Sequence, residues 1–363
     1  MPEAKEVVVF LPNWVGDVVM ATPALAALRE HFAQARLTFV GRPGALETLA
    51  GSGLCDEQIV DPSKQRPRLR KWMALAREIR RRRFDHAILL PNSFRSAALA
   101  WVGGAKRISG YDRDLRGWML TDKLRPRRDA RGRFVPVPAI DYYNALAERL
   151  GTGLAGRRMR LAVRDEDART ADGLLAEAGH DPSHPLVMLN PGAAFGVSKM
   201  WRRERYAELG ELLARRRGAQ IIVNAAPSEK ALAADVVAAM GSPPLLDFSA
   251  RDNTLGLLKG LLRRCDLLVT NDTGARHLAA ALGIGVVTLF GSTDPQWAAI
   301  DYDRERIVRR AVSCSPCQKR ICPQPPGPLY HQCMQSLTVE MAMRAAEEVL
   351  DLVRPAARAG GQS

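Results

Sequence analysis

The sequence predicts an α/β protein built from two doubly wound domains, and three observations carry that expectation. Short apolar runs alternate with amphipathic helical patterns through both halves of the chain. That alternation builds parallel sheets covered by helices on both faces. At 363 residues the chain is long enough for two domains of ordinary size, each with its own core. The alternation also restarts after a Gly- and Arg-rich stretch, GTGLAGRRMRLAV, which reads as an interdomain connection. The expected division is residues 1–160, residues 161–354 and a frayed tail over 355–363. Ligands of such sheets bind at the carboxyl ends of the strands, here in a cleft between the domains.

In the first half, period and punctuation place strands at Glu6–Pro12, Arg36–Gly41, Glu57–Val60 and Asp85–Pro91. Helical patterns fall between them at Val18–Phe32, Gly44–Ala50 and Pro67–Arg82. An Arg- and Gly-rich segment, Arg113–Arg133, interrupts the rhythm before a helix at Ala139–Leu150. The second half gives strands at Leu186–Asn190, Ala219–Asn224, Leu267–Thr270 and Val286–Phe290. Its helices are expected at Arg203–Arg216, Ser228–Met240, Thr254–Arg264 and Thr273–Leu282. The Pro-rich Cys322–Pro328 reads as loop, because proline donates no hydrogen bond to a helix or a central strand.

Composition narrows the class. Hydrophobic residues at 47% and charged residues at 25% describe a folded globular chain. No apolar stretch reaches the ~18 residues of a spanning helix. The N-terminus, MPEAKEVVVF, runs straight into a strand without the layout of a signal peptide, so a cytoplasmic location is expected. The net charge of +14, from 53 basic and 39 acidic residues, favours an anionic partner. Nucleic acid is not expected, since no nucleic-acid motif accompanies the charge.

Four stretches at strand ends carry polar residues that a core does not require. In NWVGDVVMATPAL, Asp17 stands at a helix start, where it is either a cap or a proton acceptor at the mouth of a cleft. Thr22-Pro23 offers an alternative helix start that would free Asp17. In LVMLNPGAAFGVSKMW, Gly192 and its small neighbours let a phosphate approach backbone amides, and Lys199 adds a mobile positive charge. Read alone, that stretch is an ordinary Gly-rich turn with a solvated lysine. In LLVTNDTGARHLAAALG, Asp272 can accept from sugar hydroxyls, and Thr273-Gly274 open a helix whose amides suit an anion. His277 shares the Thr273 side of that helix, and by itself is a helix-surface histidine. TLFGSTDPQW is again a strand running into a small polar loop. A dinucleotide-binding oxidoreductase is disfavoured, because G-x-G-x-x-G is missing after the first strand; the P-loop pattern is missing too.

Four motifs in this order, LPNWVGDVVMATPAL, LNPGAAFGVSKMW, TNDTGARHLAAALG and LFGSTDP, resemble the lipopolysaccharide heptosyltransferases of glycosyltransferase family 9. FDHAILLPNSFRSAALAWVGGAKRISGY is most similar to the heptosyltransferase II group. The resemblance implies a GT-B fold of two facing Rossmann-like domains, the first binding acceptor and the second binding donor. It implies inverting transfer of L-glycero-D-manno-heptose from ADP-heptose to the heptosyl-Kdo-lipid A inner core, with no obligatory metal. The alternatives are a family 9 enzyme with another core acceptor or donor, and a non-catalytic sugar-nucleotide-binding protein. By position, Asp17 matches the family's general base, Lys199 the lysine near the donor phosphates, and Asp272 the donor-binding acid. Thr273, Gly274, Gly192 and His277 fall in the matching donor motifs, and Glu229 matches an acidic position near the ribose.

Two further segments remain. Lys64–Phe84 combines a basic face with Leu69, Trp72, Met73, Leu75 and Ile79. Such a helix can rest on the anionic inner leaflet, as a peripheral protein reaching a phosphorylated lipid A-core acceptor would. It is also a plain domain helix whose Leu75 and Ile79 face the core, and both roles are compatible. Arg113–Arg133 can add acceptor contacts. Cys314, Cys317, Cys322 and Cys333 form C-x2-C-x4-C-x10-C, which in a reducing compartment suggests a structural zinc knuckle, with free thiols or a redox pair as the alternatives.

Overall fold

The computed structural model describes residues 4–62 and 65–354. The frayed tail expected over 355–363 and Lys64 of the basic segment lie outside the described residues. The chain forms two compact units. One runs to Ala162 and includes Gln296–Ile300; the other comprises Val163–Pro295 and the chain from Asp301 onward.

The first unit holds strands β1 (Glu6–Phe10), β2 (Arg36–Gly41), β3 (Glu57–Val60), β4 (His86–Leu89), β5 (Arg107–Tyr111) and β6 (Asp122–Leu124). They form one sheet in the order β3-β2-β1-β4-β5-β6, with every pair parallel. Its helices are α1 (Val15–Met20), α2 (Thr22–His31), α3 (Pro43–Thr48), α4 (Arg68–Arg82), α5 (Phe94–Val102) and α6 (Ala139–Arg149). Successive β1 side chains point to opposite faces and both faces are covered, so the run VVVF is buried throughout. Val7 and Val9 join the core beneath α1, α2, α3 and α6; Val8 and Phe10 join the core beneath α4 and α5.

The second unit repeats the plan. Its strands are β7 (Leu186–Asn190), β8 (Gln220–Val223), β9 (Leu246–Asp247), β10 (Leu267–Asn271), β11 (Gly285–Phe290) and β12 (Glu305–Arg309). They pair in parallel in the order β12-β11-β10-β7-β8-β9. The helices are α7 (Asp165–Glu177), α8 (Arg203–Arg217), α9 (Lys230–Ala239), α10 (Leu255–Leu262), α11 (Gly274–Leu282), α12 (Gln332–Gln335) and α13 (Val339–Val353). Counted within the unit, this strand order is the same as that of the first sheet. Each sheet therefore has a switch point, between β1 and β4 in one and between β7 and β10 in the other. There the connections leave in opposite directions and open a crevice.

The single helix expected over Val18–Phe32 is two helices that meet at Ala21. Pro23 has no amide hydrogen for the Val19 carbonyl, and the Thr22 hydroxyl donates to that carbonyl instead at 2.7 Å. Thr22 is thus the first residue inside α2 and does not cap it. In α4, Leu75 and Ile79 face the core as expected, with Ala76 buried beside them, while Leu69 and Met73 face out.

Candidate functional site

In the second unit, three buried strands end on asparagine: Asn190 closes β7, Asn224 follows β8 and Asn271 closes β10. They form a polar ladder across the switch point. Asn253 donates to Asn224 at 2.6 Å, Asn224 to Asn190 at 2.7 Å, and Asn190 to the Thr270 hydroxyl at 3.0 Å. Thr270 then meets the Thr273 hydroxyl at 3.1 Å. The Asn271 amide donates to the carbonyls of Pro191 and Gly192 at 2.8 and 3.2 Å, tying the loop after β7 to the end of β10. Motif reading missed this ladder. The recurrence of Asn at the end of apolar strand runs was its signal.

Above the ladder, Lys199 is neither solvated nor mobile, in contrast to both sequence readings. Its Nζ donates to Asp272 Oδ2 at 2.6 Å and to the Asp272 carbonyl at 3.0 Å, and both side chains are about nine-tenths buried. Thr293, another residue the motifs did not single out, donates its hydroxyl to the same carboxylate oxygen at 2.8 Å. Burial pulls the Asp272 carboxyl upward, but the charge and hydrogen bond of Lys199 outweigh it and hold the group below its usual value. Asp272 is consequently ionised near neutral pH.

Asp272 immediately precedes α11. Thr273 is the N-cap of that helix yet spends its hydroxyl on Thr270, and the amides of Gly274 and Ala275 have no acceptor among the described residues. Open amides beside a lysine suit an anion. Gly192 and Glu229 also meet. The carboxylate of Glu229 occupies the space a Cβ on Gly192 would fill, so the glycine admits Glu229. Burial raises the Glu229 pKa against backbone hydrogen bonds that involve Ala226 and Ala193.

His277 is not on the helix surface. It is 4% exposed, its Nδ1 has no partner among the described residues, and burial together with Arg276 lowers its pKa to about 3. In the first unit His86, bonded to the Ser109 hydroxyl at 2.8 Å, is lowered by burial to about 4. Both imidazoles are neutral in the folded chain and take up protons freely once unfolded. Stability is therefore full above the ordinary value of 6.5 and is lost as pH falls below it. Each contributes a slope on the order of 1 kcal/mol per pH unit. Thermal melts between about pH 7 and pH 5 should show this loss. His86→Asn and His277→Asn should each flatten it, and an unchanged slope in both would refute the assignment.

Cys314, Cys317, Cys322 and Cys333 form no disulfide; Cys333 is buried and the others are half-buried. Burial, together with the nearness of Cys314, Cys317 and Cys322, pushes the Cys333 thiol up. Among the described residues no group of three or more His, Cys, Asp or Glu is arranged to hold a metal ion. The segment braces the Lys199 loop. The amide of Ser198 donates to the Arg320 carbonyl at 3.2 Å, and that of Gln318 to the Ser292 carbonyl at 2.8 Å. Gly196 is required here, since a Cβ would stand 2.4 Å from the Arg320 oxygen.

Asp17 belongs to the first unit, at the third position of α1, whose N-cap is Trp14. It is half-buried, with its charge close enough to raise the Tyr143 pKa further after burial. The same unit contains a cavity of about 230 Å³ lined in part by Arg113, Arg125, Arg127, Phe134, Tyr142 and Trp297. Arg113 and Arg128 each lie 4.1 Å over the Phe134 ring, and Nε of Arg113 is buried without a partner among the described residues.

The sequence pattern of glycosyltransferase family 9 (heptosyltransferase) matches residues 72–327. The chain belongs to this family. Among its family 9 relatives is lipopolysaccharide heptosyltransferase 2 of Salmonella typhimurium, 24% identical over 352 residues that cover 95% of this chain and 98% of that protein. Two solved structures match in fold. The family 9 glycosyltransferase of Veillonella parvula superposes with a TM-score of 0.80 at 23% identity, covering 96% of this chain and 98% of that one. ADP-heptose LPS heptosyltransferase II of E. coli gives 0.75 at 23% identity, covering 95% and 98%. The two Rossmann-like sheets of this family 9 chain are those of a GT-B glycosyltransferase.

Proposed function

We propose that this family 9 enzyme transfers L-glycero-D-manno-heptose from ADP-heptose to the heptosyl-Kdo-lipid A inner core, with inversion at the anomeric carbon. The observation that carries the reading is the buried Lys199–Asp272–Thr293 cluster beside the open amides of α11. A nucleoside diphosphate leaving group develops charge on its terminal phosphate. A lysine and free helix amides stabilise that charge from fixed positions. Asp272 holds the amine in place and is available to donor hydroxyls, while Glu229 against Gly192 serves the ribose.

A sugar hydroxyl attacks poorly unless it loses its proton as the bond forms, and Asp17 is the acceptor we assign. The acceptor oxygen bonds to the anomeric carbon, the bond from that carbon to the diphosphate breaks, Asp17 keeps the proton and ADP departs. The arginine-lined cavity of the first unit is the expected contact for phosphate groups of the acceptor. Because that acceptor is a lipid, we place the enzyme peripherally at the cytoplasmic face of the inner membrane. The basic outer face of α4 supports this placement, and no helix among the described residues is long and apolar enough to cross a membrane.

The test is an assay of purified protein with ADP-heptose and heptosyl-Kdo-lipid A, with a chelator present. Release of ADP matched by an acceptor heavier by one heptose is the expected outcome. No transfer from ADP-heptose, with transfer from another sugar nucleotide or to another acceptor, would sink the assignment.

A further inference from the structure

Beyond the chemistry, the first unit carries an exposed aromatic cluster that catalysis does not use. Trp101, at the end of α5, and Trp118, in the turn Gly117–Met119, meet edge-to-face with ring centroids 5.4 Å apart; Phe94 lies 6.5 Å from Trp118. Their exposures are 54%, 65% and 48%, and Leu115 nearby is 89% exposed. Leu115 and Asp114 both have left-handed backbones, with φ of 59° and 53°. A leucine rarely adopts that conformation. The loop is held there from within. Arg116 is fully buried, its Nε donates to the Tyr111 carbonyl at 2.9 Å, and its guanidinium also reaches the Pro91 carbonyl. Leu115 and Trp118 are thus fixed outward by a clamped neighbour.

The cluster adjoins a basic surface. The Ile79 side chain of α4 packs on Gly103, where a Cβ would stand 2.4 Å away, so the end of α5 lies against the C-terminal half of α4. Arg77, Arg80, Arg81 and Arg83 line a groove there, and Arg77, Arg80 and Arg83 have no acidic partner among the described residues. Apolar rings with a polar edge suit the boundary between headgroups and acyl chains, and guanidinium groups suit headgroup phosphates.

We propose that Leu115, Trp118 and Trp101 insert into the interface of an anionic bilayer while the α4 arginines engage its phosphates. The charge of the groove is what selects a lipid surface over a second copy of this equally basic chain. The proposal rests on the reading that the acceptor is lipid-linked, so its test needs neither donor nor acceptor.

Full-length protein is sedimented with phosphatidylethanolamine–phosphatidylglycerol vesicles and with phosphatidylcholine vesicles. Binding to the anionic vesicles alone, weakened by salt, is expected. The Trp101→Ala/Trp118→Ala pair should lose binding about tenfold or more, and Leu115→Asp should do likewise. Aspartate tolerates the left-handed backbone, so that variant retains its fold, which a melting curve checks. Parent-like vesicle binding by the variants, no binding by the parent, or Trp-dependent dimerisation without lipid would each overturn the proposal.

Discussion

Asp17→Asn should leave the protein folded and able to bind ADP-heptose, yet lower turnover by roughly 100-fold or more. Asparagine has the shape of aspartate and supports a helix start about as well, so a structural role at the opening of α1 survives the change. A proton acceptor does not survive it, because the amide cannot take the proton of the attacking hydroxyl. Turnover under saturating donor and acceptor, with an ADP binding isotherm and a melting curve alongside, separates the two roles. Near-normal turnover would return Asp17 to a structural part.

The second large effect concerns Lys199. Lys199→Ala leaves the Asp272 carboxylate buried with the Thr293 hydroxyl as its remaining side-chain hydrogen-bond donor. Losing one partner of a buried ion pair costs about 3 kcal/mol or more, because the other charge is stranded. A drop in donor affinity in that single variant could therefore come from structural damage. The double change Lys199→Met/Asp272→Asn removes both charges and should recover most of the stability. If Lys199 neutralises the diphosphate, ADP binding stays weak in the double variant although its melting temperature returns. Recovery of binding together with stability would make Lys199 a structural residue only.

The regular alternation of the chain was legible from sequence wherever apolar runs were long enough to show a period. β2, β3 and β7 have the bounds expected of them, because each is an apolar or alternating run between turn residues. β6 has three residues and β9 two, too few for any period, and both exist through pairing with a neighbour already in place. α13 is different. Its sequence VEMAMRAAEEVLDLV is amphipathic and was readable, but it lies beyond the stretches that motif reading covered.

For the site, sequence supplied the residue types and tertiary structure supplied their pairing. Gly192, Lys199, Glu229 and Asp272 stand out in their own loops, but sequence separation hides that Glu229 fills the space at Gly192 and that Asp272 captures Lys199. The linear pattern reads Lys199 as solvated and His277 as a surface residue, because it carries no information on what covers a loop. Burial decides both. It forces the lysine into an ion pair and keeps the histidine neutral, since an unpaired charge in a dry interior is too costly to leave standing. The cysteine segment makes the same point: its spacing along the chain does not show that its backbone at Gln318 and Arg320 bonds to Ser292 and Ser198 of the donor loops. What the sequence by itself determined was the fold class, the family and the identity of the candidate acid, base and lysine. Which residues of the second unit touch, and with what charge, was decided only when its parallel sheet brought the loops at the carboxyl ends of its strands together and buried them.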